Sequence, residues 1–167
     1  MIKAILTVIV VLLLGALGAA LFVESGIYNI GADDHHMNAT LALIVQLRDR
    51  SIEMRLGSIK PQLAPTPAMI QSGAEHYAAL CVGCHLAPGL TKSDLRTGLY
   101  PHPPNLAQED IQESRRAFWI IKHGIKMSAM PAWGKTLDDA AIWDVVAFVR
   151  KMPSMAPEDY QQLAHRP

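Results

Sequence analysis

Nineteen consecutive uncharged residues, Ile5 to Val23, limit what this chain can become more than any other feature. As a helix they rise by roughly 30 Å, the thickness of a bilayer's hydrocarbon core. A helix that is apolar on every side belongs in lipid or deep inside a large protein, and 167 residues supply no such interior. A cleaved secretory signal is the competing reading. Signals need an apolar stretch of only about 7–15 residues and a small-x-small cleavage site. Ala16-Leu17-Gly18 and Gly18-Ala19-Ala20 loosely meet the second condition, but the run continues past both through Leu21-Phe22-Val23. Residues 1–24 are therefore expected to form a retained transmembrane anchor. Lys3 and the α-amino group lie on its N-terminal side, so the positive-inside tendency leaves that end in the cytoplasm and the remainder outside it.

Beyond the anchor, charge excludes one large class of function. Fifteen Lys and Arg balance fifteen Asp and Glu, and no basic run occurs, so a nucleic-acid partner is not expected. Residues 25–67 read as a connector, irregular through ESGIYNIGADDHHM and then helical near 40–56. Thr40 would cap that helix and Gly57 stop it, with Leu41, Ile44, Val45, Ile52 and Leu56 on one face. Ile59 to Pro67, with three prolines in nine residues, reads as an extended linker.

Residues 68–153 read as one compact all-α domain. Thr66 as cap and Pro67 in the first turn start a helix that runs through Gly73 and Tyr77 towards Cys81. Proline-rich loop follows over 86–107. A second helix is expected from Glu109 to His123, stopped by Gly124. Thr136 with Asp139 forms a capping-box pattern before a third, which Pro153 halts after Lys151. Residues 154–167 are left as a C-terminal tail. No alternating strand pattern and no internal repeat occurs.

The chemistry is concentrated in Cys81-Val82-Gly83-Cys84-His85, the attachment signature of c-type haem. Two thiols three residues apart on one turn can each add to a vinyl group on one porphyrin edge, and the next residue presents an imidazole to the iron. Other uses of two cysteines fit less well. A thioredoxin-like site wants a preceding strand in a βαβ unit. Structural zinc wants four N or S ligands, and no second Cys/His pair stands at ligand spacing. A disulfide closing so small a loop would stabilise little. Haem iron then needs a sixth ligand, and His102, His123, Met127 and Met130 are the candidates. Pro131 stiffens the backbone that presents Met130, with Met127 as runner-up; Met37, Met54, Met69, Met152 and Met155 read as core filler.

With Pro103-Pro104-Asn105-Leu106 and Lys126-Met127-Ser128-Ala129-Met130-Pro131-Ala132-Trp133 after the haem signature, the chain resembles a class I c-type cytochrome. It is especially similar to small membrane-anchored monohaem cytochromes c of proteobacteria. The resemblance implies an all-α fold, an N-terminal transmembrane helix followed by a cytochrome c-like helical haem domain. It also implies one covalently attached haem c, held by Cys81 and Cys84, with His85 and Met130 as the iron ligands. The Pro104 carbonyl would accept a hydrogen bond from the His85 ring, fixing it and raising its basicity. Gly73 and Tyr77 match the positions where the first and last helices of such domains cross, near Phe148. Ser128-Ala129 stands where relatives often carry Thr-Gly.

Several other residues have two readings. Trp119, Trp133 and Trp143 read as core or haem-pocket packing. Arg96 and Tyr100 are candidates for a haem propionate or for exposed loop. His35-His36 reads as a solvated turn, or as a metal or partner contact. Arg115, Arg116, Lys122 and Lys126 form a basic stretch that either steers an acidic redox partner or is ordinary surface. An iron filled by His and Met has no open site for substrate, so the expected function is single-electron transfer between respiratory partners, not enzymatic turnover. The anchor and resemblance together place the chain in a bacterial inner membrane as a single pass, with the haem domain periplasmic. Its partners would be the membrane and subunits of a respiratory oxidoreductase or terminal oxidase. A haem sensor or peroxidase-like enzyme with a displaceable axial methionine is the alternative.

Overall fold

The computed structural model describes residues 1–62 and 64–164, and the regular structure of these residues is helical, apart from one isolated bridge between Ala87 and Leu90. They fall into two compact units, Met1–Asp34 and a second beginning at His35. The first unit holds α1, Ile2–Glu24, in which no residue is buried. Its length and apolar composition suffice to cross a membrane. Ser25 ends it, the hydroxyl donating to the Phe22 carbonyl at 2.7 Å.

In the second unit, α2 spans Asn38–Glu53 and a 3₁₀ turn follows at Leu56–Ser58. The helix begins earlier than expected, so Thr40 lies inside it, and Met37 precedes it without a side-chain cap. Of the expected apolar face, Ile52 and Leu56 are buried, while Ile44 is exposed. Arg116 fastens the helix by pairing with Asp49 at 2.7 Å and Glu53 at 3.2 Å. Part of the stretch read as a connector is thus packed on its own domain.

Helix α3, Pro67–Leu80, starts as expected, with the Thr66 hydroxyl accepting from the Met69 N–H. Short helices α4, Val82–His85, and α5, Asp94–Thr97, follow. Then come α6, Ser114–His123, α7, Asp139–Lys151, and α8, Pro157–Ala164. Two caps differ from expectation. Glu113 accepts from the Arg115 N–H and starts α6 there, leaving 109–112 irregular. At α7 the cap is Asp138, accepting from the Ala141 N–H at 2.8 Å, while the Thr136 hydroxyl turns back to the Trp133 carbonyl. An anionic cap also favours the positive end of the helix dipole, which a threonine does not.

The core forms where α3 crosses α7. A Cβ at Gly73 would lie 2.0 Å from the Asp144 carbonyl oxygen and 2.8 Å from the Phe148 Cβ, so only glycine lets the two backbones approach this closely. One turn on, the Tyr77 and Phe148 rings meet tilted at 55° with centroids 5.3 Å apart, both fully buried. Ala74, Val145, Val149 and Met152 complete this cluster. The stretch expected as a tail contributes too, since Tyr160 on α8 is buried and its ring lies 6.2 Å from Phe148. A smaller cluster of Phe118, Ile142 and Val146 joins α6 to α7.

Candidate functional site

Tyr77 links the helix crossing to the cysteine turn. Its hydroxyl donates to the Leu86 carbonyl at 2.6 Å, which holds Leu86 at a positive φ of 61°. That conformation is unfavourable for a branched side chain, and it turns the chain sharply after His85. Burial pushes the Tyr77 phenol upward, so it stays a neutral donor.

Cys81 and Cys84 flank the first turn of α4, and both are free thiols. Burial, aided by Cys84, pushes the Cys81 thiol up to about 12, so near neutral pH it is the uncharged S–H. The next residue is held at two points by the 104–106 segment. The His85 ring bonds through Nδ1 to the Pro104 carbonyl at 3.0 Å, and the Leu106 N–H donates to the His85 carbonyl at 3.1 Å. A carbonyl can only accept, so Nδ1 carries the proton and Nε2 keeps its lone pair. Burial lowers the His85 pKa, against the opposing pull of the Pro104 bond, which also favours the neutral ring.

The bracket around His85 uses residues that motif reading passes over. Ser93 caps α5 by accepting from the Arg96 N–H and donates its own hydroxyl to the Gly83 carbonyl. Arg96 Nε donates to the Pro103 carbonyl at 3.2 Å, next to the carbonyl that His85 uses. Ser93-Asp94 ahead of a short helix is a capping signature that could have found the first of these. Leu106 ends the Pro103–Leu106 motif, but its backbone contact to His85 was not legible there.

Met130 sits in a loop closed by its own backbone. The Ile125 N–H donates to the Met130 carbonyl at 3.2 Å. Ser128 donates to the Ile125 carbonyl at 2.7 Å and accepts from the Met130 N–H at 3.2 Å. The serine found in place of threonine therefore still supplies the loop's hydroxyl. Gly124 turns the chain into this loop at φ 65°, and a Cβ there would come within 2.6 Å of the Met130 carbonyl oxygen. Met130 is half-buried. Met127, at φ 59°, is 93% exposed and faces solvent. His102 Nδ1 bonds to the Arg96 carbonyl at 3.2 Å, and the His123 ring lies 4.9 Å from that of Trp119.

These residues fit a covalently held haem. Two cysteines not bridged to each other share one turn, the adjoining imidazole is set with Nε2 available, and a stiffened loop carries a half-buried thioether. No rival metal site competes, since no cluster of three or more His, Cys, Asp or Glu occurs among the described residues.

Other sequence candidates end elsewhere. His35 stacks on Tyr100 at 4.6 Å and 20°, with His36 tilted against the same ring, so the pair is not simply a solvated turn. The basic stretch is largely neutralised, because Arg115 pairs with Glu113, Arg116 with Asp49 and Glu53, and Lys122 with Asp139.

Residues 68–149 match the family of cytochrome c oxidase, cbb3-type, subunit III. No solved structure gives a significant match to the chain. The family match supports a class I c-type cytochrome domain that binds haem c and takes part in electron transfer.

Proposed function

We propose that this chain is a membrane-anchored, single-haem c-type cytochrome that passes one electron at a time outside the cytoplasm, working with or within a membrane oxidoreductase such as a terminal oxidase. The carrying observation is the His85 bracket, in which a cysteine-flanked imidazole is pinned through Nδ1 to Pro104. The match to an oxidase subunit family supports the choice of partner.

When bound, haem c supplies a one-electron Fe(III)/Fe(II) couple whose potential methionine ligation raises. Cys81 and Cys84 would hold the group covalently, and His85 Nε2 and the Met130 sulfur would ligate the iron from its two faces. The Pro104 carbonyl keeps the imidazole from rotating and makes it a stronger donor. Gly124 and Ser128 hold the methionine loop in one shape, which keeps the reorganisation that accompanies each electron small. Were His85 and Met130 both to ligate the iron, no position would be left open for substrate, and the domain would exchange electrons without turning over a reactant. Helix α1 would restrict the domain to the membrane face, where tethering raises its effective concentration against membrane partners.

The oxidised protein's absorption spectrum tests this assignment. The weak long-wavelength band of sulfur-to-iron ligation is expected in the parent, lost in Met130→Ala and kept in Met127→Ala. Reduced parent protein should bind CO slowly, and Met130→Ala rapidly. A band surviving in Met130→Ala would overturn the ligand assignment. Rapid CO binding by the parent would favour the gas-sensing alternative.

A further inference from the structure

A concavity lined by no residue of the cysteine turn lies where the 55–60 segment runs past α6 and α7. It holds about 600 Å³, within the range of small-molecule sites, roughly 300–1,000 Å³. Its walls are aromatic. Phe118 and Trp143 stack at 4.4 Å and 22°, and Trp119 lines the same space. Both tryptophans are only half-buried, which leaves ring surface for a further flat group.

The rim carries three cations, Arg55, Lys60 and Lys122, against one carboxylate, Asp139, with His123 beside Trp119. Lys122 lies 5.5 Å from the Phe118 ring centre and is neutralised by Asp139 at 2.6 Å. Arg55 donates only to the Ser51 carbonyl and hydroxyl, both uncharged. Among the described residues no carboxylate pairs with Arg55 or Lys60. The groove therefore joins aromatic wall to two positive side chains with which no carboxylate among the described residues pairs. Neither feature serves the haem site described above.

We propose that this groove binds a small planar aromatic anion, of the aromatic carboxylate class, with its ring against the part-exposed surfaces of Trp119 and Trp143 and its charge towards Arg55 and Lys60. Aromatic stacking supplies most of the attraction and the cations select the charged form over its neutral analogue.

The three tryptophans make the test direct, because Trp133 lies outside the groove and serves as an internal control. Reduced, haem-loaded full-length protein in detergent is titrated with 2-naphthoate while the three indole N–H resonances are followed. Saturable shifts are expected at Trp119 and Trp143, with Trp133 still. Lys60→Gln and Arg55→Gln should each weaken binding about fivefold, the scale of one exposed charge-assisted contact. The neutral 2-naphthamide should bind more weakly than the acid. No saturation by about 10 mM, the regime of negligible affinity, would overturn the proposal, as would equal binding of acid and amide or equal movement of Trp133. Shifts with an acidic glutamate peptide but none with naphthoate would also overturn it, assigning the groove to a protein segment instead.

Discussion

Helices α1 and α7 are both rich in aliphatic residues, yet they bury them in opposite ways. In α1 no residue is buried, while in α7 six of thirteen are, Ile142, Val145, Val146, Ala147, Phe148 and Val149. The difference is one of pattern. Helix α1 carries apolar side chains round its whole circumference, so no single protein face could cover it. Helix α7 keeps Asp139, Arg150 and Lys151 in its end turns and offers one continuous stripe to α3, α6 and α8. The same chemistry of burial thus has two outcomes: the α7 stripe is covered by protein, whereas α1 is long and apolar enough to cross a membrane.

Matched substitutions in the two helices probe that contrast. Phe148→Ala should have the largest effect, costing the haem domain about 3–5 kcal/mol by leaving a cavity beneath Tyr77 and Tyr160. Leu13→Ala in α1 should leave the domain's denaturant midpoint unchanged. Equal midpoints for both variants would break the comparison. Next comes Gly73→Ala, whose added Cβ meets the Asp144 backbone, at about 1–3 kcal/mol. Gly15→Ala, with nothing within 4 Å of its added Cβ, is expected to be neutral in the same urea titration.

The smallest expected effect is electrostatic and on the surface. Hydrogen bonds from Arg115 hold the Glu113 carboxyl down to about 2, against 4.5 for the free side chain. Because the folded value is the lower one, this stabilisation is present above pH about 4.5 and is lost as pH falls towards about 2. The pair is largely exposed, so solvent screening leaves only a small part of the face value. Glu113→Gln should flatten that segment of the stability-against-pH curve without altering stability change between pH 6 and 8. An unaltered acid limb would show that the carboxylate cap contributes nothing.

Where local chemistry decides, the sequence was a reliable guide. Thr66-Pro67 opens α3, Gly124 closes α6, and the cysteine signature forms a short helix ending on His85, because caps, stops and tight spacings are satisfied by residues a few positions away. Competition among several eligible groups was harder to read. Thr136 and Asp138 could both cap α7, and Glu109 and Glu113 could both open α6; the choice fell to the packing of the loops before them. Least legible was the docking of distant segments. Arg116 reaches back to Asp49 and Glu53, and Tyr160 folds onto Phe148, although neither pair announces itself along the chain.

By itself the sequence determined that one helix must lie outside any protein core, that the remainder is all-α, and that two thiols and an imidazole share one turn. Each follows from short-range chemistry, whether apolar periodicity, proline and glycine stops, or the spacing of five consecutive residues. The tertiary structure alone decided that the Leu106 N–H holds His85 from a second side, beside the expected Pro104 contact, and that Ser128 closes the methionine loop. It alone docked α8 so that Tyr160 meets Phe148, and left Arg55 and Lys60 beside aromatic wall with no carboxylate partner among the described residues. Those outcomes depend on which backbone groups meet across tens of residues, and steric fit and hydrogen-bond satisfaction settle that only when the whole domain has folded.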